Sequence, residues 1–72
     1  MIKARLVANI PENRFSSVAG RVPKIGDVII IDQGFTFPDG KAGCLVYFHE
    51  QNGNLEYEAE VYETEVGENI NT

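Results

Sequence analysis

The sequence predicts an all-β fold: a small five-stranded β-barrel, partly open, with a long loop between strands 1 and 2. Three observations carry that expectation. Apolar and polar residues alternate with a period of two over residues 2–10, the mark of a half-buried strand. An Asn-Gly pair at 52–53 lies between two apolar-rich runs, and such a pair marks a hairpin because both residues tolerate positive φ. No stretch has the length and 3.6-residue period of a helix. An open sheet this small would leave long bare edges, so a closed or nearly closed arrangement is expected.

The totals set the scale. A chain of 72 residues makes one small domain, 1–72, and buries only about 60% of its unfolded surface. Its 43% hydrophobic content is near the globular average, so the chain reads as folded rather than disordered. One cysteine leaves no internal disulfide, which suits a reducing compartment. "LVANI" is too short for the apolar region of a signal peptide, and no run is long enough to span a membrane as a helix. A cytoplasmic location follows as the expectation.

Taken in order, Ile2, Ala4, Leu6, Ala8 and Ile10 point one way in the first strand, which Pro11 ends. Residues 11–24, "PENRFSSVAGRVPK", show no periodicity and read as the long loop, with Phe15 and Val18 expected to pin it to the core. "KIGDVIIID" supplies a strand that is apolar on both faces and therefore covered on both. "QGF" reads as a turn, "FTF" as a short strand, and "PDG" at 38–40 as a tight reversal.

The register of the last hairpin follows by counting outward from Asn52-Gly53 as a two-residue loop. Phe48 opposes Tyr57, Val46 opposes Ala59 and Cys44 opposes Val61 on an apolar face. His49 opposes Glu56, Tyr47 opposes Glu58 and Leu45 opposes Glu60 on an acidic one. With "KIGD" opening the second strand after a long loop, this layout resembles an SH3-like small β-barrel over most of the chain. That resemblance implies a fold and no activity, because SH3-like barrels host many functions. The chain has no Trp, so recognition of proline-rich peptides is not implied.

Chemistry is hard to place on these residues. His49 and Cys44 stand alone, without metal-ligand spacing, and Cys44 reads as a small core residue. Ser16 and Ser17 have no base nearby in sequence. "GFTFPDGK" is not a phosphate loop, since its glycines are misplaced and no helix follows. Exposed alternating glutamates lack the burial that raises a carboxyl pKa for acid catalysis. No enzyme activity, cofactor or metal is expected.

Charge and aromatic residues point elsewhere. The net charge is −5, which argues against a nucleic-acid backbone as partner. All six basic residues lie at or before Lys41, and the chain beyond carries acids and His49. If the first strand lay beside 55–66, Lys3 and Arg5 would partly neutralise Glu56, Glu58 and Glu60. The acid left over joins Leu45, Tyr47 and Tyr62 on one face, and solvent-facing tyrosine with a charged rim is what protein interfaces favour. The candidate binding residues are therefore Leu45, Tyr47, Glu58, Glu60 and Tyr62.

Two functions follow. The first is a non-enzymatic interaction module, an accessory or regulatory subunit docking a partner with a basic surface through the acidic tyrosine-bearing face. The alternative is an acidic inhibitor of the immunity-protein kind, occluding the basic site of a toxin or nuclease, a task helped by electrostatic steering. An RNA-binding barrel would have to rely on Arg14, Arg21 and Lys24.

Overall fold

The chain folds as β1 (Ile2–Leu6), a 3-10 turn (Glu12–Arg14), β2 (Phe15–Ser17), β3 (Val28–Thr36), β4 (Ala42–His49), β5 (Leu55–Tyr62), a second 3-10 turn (Glu63–Glu65) and β6 (Val66–Ile70). This computed structural model describes residues 2–70. The strands form one six-stranded sheet in the order β2-β5-β4-β3-β1-β6, antiparallel throughout. The ladder is open at β2 and β6, so the expectation of five strands is corrected to six.

The sheet is strongly curled, as chain geometry requires. Four strand intervals separate β5 from β6, roughly 19 Å across a flat sheet at about 4.8 Å each. Only Glu63–Glu65 connect them, and even fully extended the step from Tyr62 to Val66 reaches about 14 Å. The curl is what lets Leu6 of β1 and Tyr57, Ala59 and Val61 of β5 share one core. A radius of gyration of 11.4 Å matches the roughly 11 Å of a compact chain this long.

Tyr57, Leu6, Ile29, Val46 and Val61 are the largest fully buried side chains, each contributing roughly 1.5–3 kcal/mol by its removal from water. Ala4, Ile10 and Cys44 are buried too, as the sequence pattern predicts. The core comes from one face of the sheet, with Ile29, Ile31, Val46 and Ala59 at inward positions of successive strands.

Several sequence-based expectations change. β1 ends at Leu6; the Leu6 amide bonds to Asp27 O and the Val7 amide to Glu65 O, one step past the last paired residues on each side. The long loop contains β2, in which Phe15, Ser16 and Ser17 pair with Ala59, Glu58 and Tyr57 of β5. Phe15 packs on the core as expected, but Val18 is 52% exposed. "QGF" is no turn. Gln33, Gly34 and Phe35 continue β3 past a bulge at Asp32, and the extra residue swings Phe35 to the outer face, opposite Gly43.

The hairpin contains two irregularities that cancel. Glu50 donates to Asn54 O and Gly53 to Glu50 O, so the loop has three residues, 51–53, with Gly53 at φ +88° as its left-handed corner. That displaces the register by one, and His49 faces Leu55 rather than Glu56. A bulge at Glu56 of β5, between the His49–Leu55 and Phe48–Tyr57 pairs, restores it. Phe48–Tyr57, Tyr47–Glu58, Val46–Ala59, Leu45–Glu60 and Cys44–Val61 are all paired as counted from the sequence.

The expected neighbour of the first strand is also corrected. β1 lies between β3 and β6, with β3 and β4 separating it from β5. Lys3 and Arg5 therefore have no cross-strand pairing with Glu56, Glu58 or Glu60 and form no ion pair with them among the described residues, although Lys3 and Glu56 line one surface cleft. First and last strands do pair, but the last strand is β6, which begins at Val66, where the expected last strand, 55–66, ends.

Candidate functional site

The outward positions of β4 and β5 collect the five residues singled out from the sequence. Leu45 opposes Glu60, Tyr47 opposes Glu58, and Tyr62 opposes Gly43. Glu58 and Glu60 are exposed, while Leu45, Tyr47 and Tyr62 are half-buried. Among the described residues the ion pairs are Arg14–Glu65 and Arg21–Asp27, so neither Glu58 nor Glu60 has a basic partner there. Leu45, Glu58 and Glu60 line a shallow cleft that is completed by Asn13, Arg14 and Ser16.

The two tyrosines differ in what holds them. Tyr47 donates its hydroxyl to Asp32 Oδ2 at 3.3 Å, a long bond to the bulge residue of β3. Loss of hydration, then the Asp32 charge, pushes the Tyr47 phenol above its ordinary pKa. Tyr62 belongs to a built cluster. Its ring stacks on Phe37 at 4.0 Å and 23°, Phe37 meets Phe35 at 4.8 Å, and Arg14 Cζ lies 4.9 Å from the Tyr62 centroid. The Tyr62 hydroxyl donates to Asp39 Oδ2 at 2.9 Å, which raises its own pKa. Asp39 is held low, chiefly by the Lys41 amide.

Arg14 anchors this cluster. Its guanidinium makes a fork to Glu65, 2.7 Å to Oε1 and 2.9 Å to Oε2, and donates to Glu60 O. The pair holds the Glu65 carboxyl below its usual range and raises Arg14. Gly43 makes room for Phe37: a Cβ there would lie 2.2 Å from the Phe37 ring. Tyr62 is thus committed largely to the fold, whereas Tyr47 is held by a single long hydrogen bond to Asp32.

A second polar cluster closes the opposite end of the core. Tyr57 donates to Asp27 Oδ2 at 2.9 Å, Arg21 pairs with Asp27 Oδ1 at 2.8 Å, and Arg21 lies over Phe48, which stacks on Tyr57. Arg14 and Arg21, which an RNA-binding barrel would need free, are both occupied by carboxylates. The sequence reading missed Arg14, Ser16, Phe37 and Asp39 as neighbours of the face, because each arrives from a distant loop or from β2. Phe15-Ser16-Ser17 alternates in burial and not in polarity, so the sequence offered no local signal for β2.

His49 Nδ1 lies 3.1 Å from Gly53 O at the hairpin tip, and burial raises the Cys44 thiol. Among the described residues no group of His, Cys, Asp and Glu could hold a metal ion, and no helix is long and apolar enough to cross a membrane. The chain matches no family model, no curated protein and no solved structure.

Proposed function

We propose that this chain is a non-enzymatic interaction module built on an SH3-like barrel, docking the basic surface of another protein against the outer face of β4 and β5. Support for the fold reading comes from the curled sheet and from the pairing of first and last strands. The observation that carries the functional reading is that Glu58 and Glu60 flank Tyr47 and Leu45 with no basic side chain paired to them among the described residues. Carboxylates left unpaired beside an aromatic ring form a rim that attracts and orients a basic surface, while the ring supplies buried contact area.

The acidic-inhibitor reading is the same docking event with a catalytic cleft as the basic surface. The position of the acids on one sheet face favours it equally, and loss of the partner's activity on binding distinguishes it. Capture of a partner by the wild-type chain, compared with Tyr47→Ala and with Glu58→Lys/Glu60→Lys, tests the proposal. Capture should weaken in both variants and at high salt, since exposed charges are screened beyond about 8 Å at physiological ionic strength. Equal capture by all three chains would sink it.

A further inference from the structure

We infer that the partner adds an extended strand to the free edge of β2, with a basic side chain on the outer face flanked by apolar side chains on the inner one. This deepens the docking proposal and rests on it, and the free edge of β2 supplies a separate observation.

β2 ends the sheet, bonded to β5 on one side only. Its register pairs Phe15 with Ala59, Ser16 with Glu58 and Ser17 with Tyr57. The Val18 amide donates to Glu56 O, which makes Val18–Glu56 a hydrogen-bonded pair. Such pairs alternate along an antiparallel ladder, so Ser16–Glu58 is also hydrogen-bonded, whereas Phe15 and Ser17 turn their N–H and C=O groups outward. Two donors and two acceptors therefore stand ready at the spacing a strand requires. Nothing in β2 guards that edge, for it has neither lysine nor proline.

The two sides of that edge differ in chemistry. On the inner side a groove is lined by Ile10, Phe15 and Val22 together with Glu12, Ser17 and Gly20, and Val22 is 51% exposed. On the outer side the cleft over Ser16 leads to Glu58, Glu60 and Leu45. An incoming residue opposite Phe15 or Ser17 projects inward to the apolar groove. One opposite Ser16 projects outward, and because Ser16 is small, a lysine or arginine stem can cross it to reach Glu58. Arg14, beside the cleft, does not oppose this, since Glu65 already holds its guanidinium on both nitrogens. The edge thus selects a strand in which basic and apolar residues alternate.

The test uses a short blocked peptide of alternating lysine and valine, a matched glutamate–valine peptide, and the full chain observed by amide NMR. The lysine peptide should bind and slow exchange of the Phe15 and Ser17 amides by about tenfold or more, while the glutamate peptide should not bind. Ser17→Pro removes the outward amide donor and the hydroxyl bond to Arg21 O but no β5 ladder bond. It should weaken binding at least about tenfold with the melting transition retained, while Ser17→Ala, which loses only the hydroxyl, should bind as the wild type does. Glu58→Lys/Glu60→Lys should weaken it without touching the edge. Should Ser17→Pro fail to fold, exchange at Phe15 in the wild-type chain decides alone. Binding with shifts confined to Leu45 and Tyr47, and no protection at Phe15 or Ser17, would overturn strand addition and leave face docking standing. Absence of binding to the lysine peptide would also overturn strand addition, whereas face docking answers to the captured partner and Tyr47→Ala.

Discussion

Arg14 and Glu65 form a two-pronged ion pair, 2.7 and 2.9 Å, that fastens the start of β2 to the turn leading into β6. Both side chains are largely covered, at 17% and 16% exposure. Glu65 also accepts the Tyr62 amide at 2.7 Å, so one carboxylate joins the long loop, the end of β5 and the last strand.

Removing one partner leaves the other charge poorly solvated. Arg14→Ala or Glu65→Gln should each lower stability by about 1–3 kcal/mol, between the values for exposed and buried pairs, and a double-mutant cycle by urea unfolding should give a favourable coupling. The pair also sets an acid dependence. The folded-state pKa of Glu65 is depressed, first by its bond to Arg14. Its contribution is thus present above the unfolded value of about 4.3 and lost as pH falls through the lower folded one. Glu65→Gln should flatten that acid limb.

At the other end of the core, Tyr57→Phe removes the donor to Asp27 and should cost about 1–2 kcal/mol. Burial first, and the bond to Asp27 second, raise the Tyr57 phenol. Its contribution is therefore intact below an unfolded pKa of about 10 and declines as pH rises above that. Unfolding followed from pH 8 to 11 should show a shallower alkaline loss in the phenylalanine variant.

Gly43→Ala should be among the most damaging single changes. The added carbon would meet the Phe37 ring at 2.2 Å and Val61 O at 2.8 Å. The ring must leave its stack on Tyr62, and overpacking of this kind costs about 1–3 kcal/mol. Thermal unfolding measures the loss, and altered Tyr62 ring resonances would show where it arises.

Ala19 holds φ at +59°, ahead of Gly20 at +81°, a left-handed pair that costs a residue with a Cβ about 1–2 kcal/mol. Asparagine adopts this region more readily. Ala19→Asn, at an exposed turn, should therefore raise stability by about 0.5–1 kcal/mol, read as a higher Tm.

How much the sequence disclosed depends on the range of the forces involved. The β4–β5 hairpin was legible because alternation and a glycine turn are local. Its register survived an error in loop length only because a bulge at Glu56 compensates. β2 was not legible: three residues are too short for a period, and what makes them a strand is β5, some forty positions away in the chain. The bulge at Asp32 hid in the same way, so "QGF" read as a turn. The candidate face emerged with its five residues together, because they follow from that hairpin register. The partners of Tyr62, namely Phe37, Asp39 and Arg14, come from separate loops, and no spacing announces them. The misplaced neighbour of β1 came from running β5 on through Glu63–Glu65 to Val66, since that turn continues an acidic run without a glycine or proline to mark it, and β6 beyond it was not expected.

We propose above that a basic partner docks on the outer face of β4 and β5 around Tyr47. The most direct test of that docking is the affinity of the captured partner for the wild-type chain, Tyr47→Ala, Arg5→Ala and Lys24→Ala, each at two salt concentrations. Tyr47→Ala should weaken binding by at least about tenfold, as loss of a central aromatic contact does. Arg5→Ala and Lys24→Ala should leave it unchanged, and wild-type affinity should fall as salt rises. Loss of binding in Arg5→Ala and Lys24→Ala, with Tyr47→Ala binding as tightly as the wild type, would contradict the account.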